Sequence, residues 1–80
     1  MKLRIYPLGT RNLIGAQVSQ FRKNQNMKQK ELLAKLQVHG IDMASSSLSK
    51  IEGQTRCVTD IEVAAFSDIL NVPISNLFGR

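Results

Sequence analysis

The segment ASSSLSKIEG, residues 44–53, places several hydrogen-bonding groups at helical spacing. Serine hydroxyls donate and accept hydrogen bonds, and the ammonium group of Lys50 donates them. On a helical wheel at about 100° per residue, Ala44, Leu48 and Ile51 fall within about 60° of one another, and most of the serines lie opposite. The segment therefore predicts an amphipathic helix with a small, polar outer face. Such a face can approach another surface closely, as entry into a DNA groove requires.

Basic residues are concentrated in the same part of the chain as this segment. Residues 1–56 contain ten Lys or Arg against three acidic residues, a net charge of +7, whereas residues 57–80 carry a net charge of −2. Such an asymmetry favours a polyanionic partner. Nucleic acid is favoured over a membrane because the chain has no long basic amphipathic helix with bulky apolar residues. A positive surface that only aids solubility is the alternative.

The flanking sequence predicts the helices that would position this segment. Thr10 is suited to cap the start of a first helix, and Gly40 to end a second. Thr59 and Glu62 have the T-x-x-E spacing of a capping box at the start of a fourth helix, which is followed by Pro-containing sequence before a short last helix. The predicted helices span about residues 10–24, 28–38, 45–52, 59–70 and 74–78.

Composition limits the class of protein. Eighty residues with 42% hydrophobic content, 5% aromatic content and no Trp predict one small all-α domain. No apolar run approaches the roughly 20 residues of a membrane helix, and the apolar stretch at the N-terminus is too short for a signal peptide. We therefore expect a cytoplasmic protein with a basic N-terminal arm over residues 1–9 and one helical domain over residues 10–80.

Residues suited to catalysis or metal binding are few. The chain has one cysteine, Cys57, and one histidine, His39, and these two cannot supply the usual three or four zinc ligands. The sequence has no nucleophile beside a base, no paired inward-facing carboxylates and no phosphate-binding glycine loop. We therefore expect no catalytic residue, no metal and no cofactor, and an enzyme is the weakest of three function classes.

The order of these parts resembles the helix-turn-helix domain of the phage repressor and Cro type, also called the XRE family. The resemblance covers about residues 13–79. It implies a compact five-helix bundle of the lambda-repressor-like type, with the third helix in the major groove and the second across the DNA backbone. The matching segments are IGAQVSQFRKNQNM, with Arg22 at the family's arginine, MKQKELLAKL, which begins around Gln29, SSLSKIEG, with Glu52 at the acidic position, and VTDIEVAAFSDILNVPISNLFG.

The resemblance also implies roles for particular residues. Ser45, Ser46 and Lys50 would face base edges in the major groove. Gln29 would bind phosphate through its side chain and the nearby amide groups at the start of the second helix. Further phosphate contacts would come from Lys28, Lys30, Arg56, Ser47 and Ser49, of which the two serines could flank the base contacts instead.

A structural ion pair between Arg22 and Glu52 is also implied, and it would tie the first helix to the third. The sequence departs from the family in several features, two of which bear directly on DNA binding. Gln29 and Glu52 are 23 positions apart, about five more than in the family's tight motif with its three- to four-residue turn, so the second and third helices should be joined by a longer loop. The base-facing set also lacks Arg, Gln and Asn, so specificity would rest on DNA shape, thymine methyl contacts or a second subunit.

The leading function is a sequence-specific DNA-binding regulator of transcription. Its partner would be double-stranded DNA, bound by a homodimer, because one module of this size contacts too few bases for useful specificity. The alternative is an antitoxin-like or other protein-interaction module that uses the same fold and binds a protein partner.

Overall fold

The computed structural model describes residues 11–79, and these residues form five α-helices without a β-strand. The all-α class and the number of helices predicted from the sequence are therefore confirmed for this part of the chain. The predicted basic arm at residues 1–9 and the predicted cap Thr10 lie outside the described residues. The helices are α1 (Gly15–Asn24), α2 (Gln29–Val38), α3 (Ser45–Glu52), α4 (Asp60–Leu70) and α5 (Ile74–Leu77).

Helix α1 begins later than the sequence predicted. Its first residue is Gly15, because the preceding segment is held in a turn by Asn12. The Asn12 side-chain oxygen accepts a hydrogen bond from the Gly15 N–H at 2.6 Å. This bond satisfies one of the amide groups that have no partner inside the first turn of a helix.

The predicted signals at other helix ends are confirmed. Gly40 follows α2 with φ of +84°, and the N–H of Ile41 donates to the carbonyl of Leu36 at 2.9 Å, which closes the turn after the helix. At the start of α4, the Glu62 N–H donates to Thr59 Oγ1 at 3.2 Å and the Thr59 N–H donates to Glu62 Oε1 at 2.9 Å. This reciprocal pair is the predicted capping box.

The loop between α2 and α3 covers residues 39–44, and it is longer than the three- to four-residue turn of a tight helix-turn-helix motif. The predicted longer loop is therefore confirmed. Ile41 and Met43 of this loop pack against the hydrophobic core as partly buried side chains. The loop is thereby anchored at two points, which fixes the start of α3 relative to α2.

One hydrophobic core joins all five helices. Leu48 and Ile51 of α3 are fully buried, as the helical wheel predicted. Ala44, which was expected on the same inward face, is exposed. The prediction was wrong because Ala44 is the N-cap residue with extended backbone, so the wheel does not extend to it. The buried apolar residues are Ile14, Val18, Leu32, Leu36, Leu48, Ile51, Ala65, Phe66, Leu70 and Leu77.

Candidate nucleic-acid interface

The outer face of α3 is polar and accessible. Ser45, Ser46, Ser49 and Lys50 are exposed, and Ser47 is partly buried. Within residues 11–79, the side chains of Ser45, Ser46 and Lys50 form no hydrogen bond with another residue. These three side chains are the predicted base-facing residues, and their hydrogen-bonding groups are free for an external partner.

The opposite face of α3 fixes the rotation of this helix. Leu48 and Ile51 have no exposed surface, and α3 packs against both α1 and α2. Burying a Leu or Ile side chain contributes about 1.5–3 kcal/mol. Turning α3 about its axis would expose both residues, so the polar face is held outward by the core.

Glu52, at the end of α3, is tied to α1 by a bidentate ion pair. Arg22 donates from Nε to Glu52 Oε2 at 2.8 Å and from Nη2 to Glu52 Oε1 at 3.0 Å. The two side chains are only 10% and 8% exposed. Arg22 also donates from Nη1 to the carbonyl of Met27 at 2.7 Å, so the same guanidinium holds the turn that leads into α2. The structure thus places Arg22 and Glu52 in the arrangement that the family resemblance implied.

Gln29 extends this cluster to α2. Its Nε2 donates to Glu52 Oε1 at 3.0 Å, and its Oε1 accepts a hydrogen bond from Ser49 Oγ at 3.3 Å. Both polar ends of the Gln29 side chain are therefore bound inside the protein, although the resemblance had assigned this side chain to phosphate. Sequence reasoning missed both contacts, because they join residues on either side of the α2–α3 loop.

The C-terminal end of α3 is held against the start of α1. Asn12 Nδ2 donates to the carbonyls of Ile51 and Arg56 at 3.2 and 2.7 Å. In return, Gln54 Nε2 donates to the carbonyl of Asn12 at 3.1 Å. The Ile51 carbonyl lies in the last turn of α3, where main-chain carbonyls have no N–H partner four residues further along the helix. The position of α3 thus depends on residues that the sequence did not identify, chiefly Asn12 and Gln54.

The residues predicted to contact phosphate differ in how free their side chains are to bind it. Lys28 and Lys30, at the start of α2, are exposed. Arg56 instead donates to both carboxylate oxygens of Glu62, at 3.2 and 3.3 Å, and to the carbonyl of Cys57 at 3.1 Å. Arg56 is consequently committed in part to the start of α4.

The carboxyl group of Glu62 has a shifted pKa. Burial acts to raise its pKa, but the hydrogen bond from the Thr59 N–H and the hydrogen bonds and positive charge of Arg56 outweigh burial, so the pKa lies below its ordinary value. The Thr59–Glu62 cap and the Arg56–Glu62 pair therefore reinforce one another. Together they fix the segment that leaves α3.

Within residues 11–79, the exposed cationic side chains lie on the first three helices, at the start of α2 and in the segment before α1. The side chains of Arg22 and Arg56 are paired with carboxylates. The exposed cationic residues between positions 11 and 79 are Arg11, Lys23, Lys28, Lys30, Lys35 and Lys50. Helices α4 and α5 contribute none of these, in agreement with the charge asymmetry of the sequence.

The part of the chain that the structure describes has no cluster of three or more His, Cys, Asp or Glu residues suited to a metal ion. No helix of residues 11–79 has the length and apolar character needed to cross a membrane. Comparison with protein-family models, curated proteins and solved structures finds no match for the chain.

Proposed function

We propose that this protein is a sequence-specific DNA-binding regulator of transcription that inserts α3 into the major groove. The observation that carries the proposal is the contrast between the two faces of α3. Its inner face is fixed by Leu48, Ile51 and the Glu52 cluster, while its outer face offers exposed hydroxyl and ammonium groups. A recognition helix needs this combination, because base contacts require polar groups held in a fixed position.

Side-chain size supports the same interpretation. The major groove is about 12 Å wide, which is enough for an α-helix, and small side chains allow the helix backbone to lie deep in it. Ser45, Ser46 and Ser49 are short, and Lys50 provides one long donor on the same face. In a complex of this kind, α2 would lie across the DNA backbone, with Lys28 and Lys30 beside phosphates.

We propose that the fold is of the lambda-repressor-like type, with a longer loop between α2 and α3, and we expect a homodimer on DNA in the cytoplasm. The Arg22–Glu52 pair supports this classification because it joins α1 to α3 at the positions where the family resemblance implies an ion pair.

A protein-interaction module with the same fold, such as an antitoxin, is the second candidate. The observation in its favour is that large apolar side chains are exposed on several elements, since exposed apolar residues mark a protein-binding site where they form a contiguous patch. A toxin or another protein partner would cover some of these side chains. The exposed large apolar residues are Leu13, Val38, Ile61, Ile74 and Phe78.

Selection from a random duplex DNA library, followed by sequencing, tests the proposal. We expect enrichment of one motif and a steep dependence on salt. Six exposed cations lie in the described part of the chain, and neutralising about six phosphates should lower affinity by about a thousandfold between about 50 and 200 mM salt. Absence of binding at low salt, or affinity that is independent of salt, would favour the protein-partner function.

A further inference from the structure

We propose that Ser49 recognises the exocyclic amino group of an adenine or cytosine, acting as a hydrogen-bond acceptor whose polarity is set by Gln29. The inference rests on the proposed function and identifies a specificity-determining residue within it. It changes the role of Gln29 from a phosphate contact to a positioning residue that acts through Ser49.

The direction of each hydrogen bond follows from Glu52. Its carboxylate is paired with the Arg22 guanidinium, at 2.8 and 3.0 Å, and an ionised carboxylate can only accept hydrogen bonds. The amide end of Gln29 that lies 3.0 Å from Glu52 Oε1 must therefore be the NH₂ group. The opposite orientation would place two acceptors against each other.

This orientation leaves the carbonyl end of Gln29 facing Ser49, at 3.3 Å from Ser49 Oγ. An amide oxygen accepts hydrogen bonds, and a serine hydroxyl has a single proton to donate. The Ser49 proton is therefore used inside the protein. Ser49 therefore donates a hydrogen bond to Gln29, and Gln29 donates one to Glu52. The buried Arg22–Glu52 ion pair holds the Glu52 end of this chain of hydrogen bonds in place.

The direction of these hydrogen bonds determines which chemical groups of an external partner Ser49 can bind. Ser49 is exposed, and its oxygen keeps lone pairs on the outer face of α3 but no free proton. Phosphate oxygens accept hydrogen bonds, so Ser49 is poorly suited to bind them. In the major groove the donors are the amino groups of adenine and cytosine, whereas guanine O6 and N7 and thymine O4 are acceptors.

Ser45 and Ser46 differ from Ser49 in this respect. Their hydroxyls form no hydrogen bond within residues 11–79, so each can rotate to donate or accept. A hydroxyl of that kind contacts donors and acceptors equally well and discriminates less between bases. Ser46→Ala is therefore a matched control for Ser49→Ala, because it removes an equally small polar group from the same face.

The test combines the selected DNA site with protein variants and base analogues. We expect one position of the site to favour adenine or cytosine over guanine and thymine by about three- to tenfold, the usual effect of one hydrogen bond. Ser49→Ala should abolish the preference at that position, whereas Ser46→Ala, whatever its own effect on total affinity, should leave the preference unchanged. Replacing the preferred base by its analogue without the exocyclic amine should weaken binding of the wild type by the same factor and leave binding of Ser49→Ala unchanged.

Gln29→Met tests the positioning role, because a thioether of similar length accepts hydrogen bonds only weakly. Ser49 can then donate its proton outward, so the preference for the amino base should fall to nearly none. The double variant with Ser49→Ala should show no further loss of preference. Circular dichroism melting shows whether Gln29→Met remains folded. Even if it does not, the proposal is decided by comparing wild type with Ser49→Ala on the preferred base and on its analogue, because Ser49 is exposed.

Three results would overturn the inference. A uniform loss of affinity for all sequences in Gln29→Met, with base preference retained, would make Gln29 a phosphate contact. A selected site at which removal of the amine weakens wild type and Ser49→Ala alike would remove Ser49 from recognition, while the proposed function would stand. No binding of wild type to any duplex would refute the function and the inference together.

Discussion

Gly15, the first residue of α1, lies so close to the main chain of Ile51 in α3 that a Cβ atom on Gly15 would be 1.9 Å from the Ile51 carbonyl oxygen. The same Cβ would lie 2.9 Å from Asn12 Oδ1. Only a residue without a side chain permits this approach of two backbones. The contact brings the start of α1 against the end of the proposed recognition helix.

Gly15→Ala should consequently destabilise the protein by about 1–3 kcal/mol, because the clash involves backbone atoms and forces the two helices apart. Urea unfolding measures this loss. Gly53→Ala is the matched control, since Gly53 has φ of −84° and its added Cβ would come no closer than 3.3 Å to another atom. A free energy of unfolding that is equally insensitive to both substitutions would contradict the predicted close contact.

The features that the sequence predicted correctly depend on residues a few positions apart. The Thr59–Glu62 capping box, the end of α2 at Gly40 and the burial of Leu48 are local patterns that capping chemistry and helical periodicity determine. The start of α1 was misplaced because Asn12, whose side-chain oxygen accepts the Gly15 N–H, is also held in place by hydrogen bonds to the distant carbonyls of Ile51 and Arg56.

Such local patterns could not predict contacts between residues that are distant in the sequence. The Asn12–Ile51 and Ser49–Gln29 hydrogen bonds join residues 39 and 20 positions apart, and no periodicity within one helix relates them. The Arg22–Glu52 pair, 30 positions apart, was expected from the resemblance to a family and not from local spacing. The direction of the hydrogen bond between Ser49 and Gln29 could therefore be assigned only from the folded structure.

The buried ion pair provides a second stability prediction. Glu52→Ala leaves the Arg22 guanidinium without its carboxylate in a site where that side chain is 10% exposed. Breaking a buried pair in this way typically costs about 3–5 kcal/mol. The free energy of unfolding, obtained from urea titration, measures the effect.

Asp42→Ala is the control for this substitution, because Asp42 is an exposed carboxylate in the α2–α3 loop. Surface substitutions of that kind usually change stability by less than about 0.5 kcal/mol. If Glu52→Ala were as mild as Asp42→Ala, the ion pair would have no stabilising role in positioning α3.

A third prediction concerns the stability of the fold at acidic pH. The pKa of Glu62 is lowered in the folded protein, so its ionised form stabilises the fold above the pKa that this group has in the unfolded chain, whose ordinary value is 4.5. This contribution should disappear as pH falls through the lower, folded pKa. Glu62→Gln keeps a side chain that can cap α4 but lacks the charge.

The difference in stability between wild type and Glu62→Gln should therefore be largest near neutral pH and should shrink as pH falls below the ordinary carboxyl value of 4.5. Urea unfolding at a series of pH values measures this difference. A difference that stays constant down to strongly acidic pH would show that ionised Glu62 does not contribute to stability through Arg56.

The last prediction separates the two faces of α3. Leu48→Ala removes a fully buried side chain and should cost about 2–5 kcal/mol of stability.

Lys50 is exposed, so Lys50→Ala should leave stability nearly unchanged. Its ammonium group can reach a guanine edge, and its loss should weaken binding to the selected site by about 1–3 kcal/mol and weaken binding to random DNA less. Lys35→Ala is the charge-matched control, because Lys35 is an exposed cation of α2 outside the proposed recognition helix, so its loss should weaken binding to both DNAs equally. Fluorescence anisotropy with both DNAs compares the variants: equal losses on both for Lys50→Ala would make Lys50 a phosphate contact, and no loss on either would remove α3 from DNA recognition.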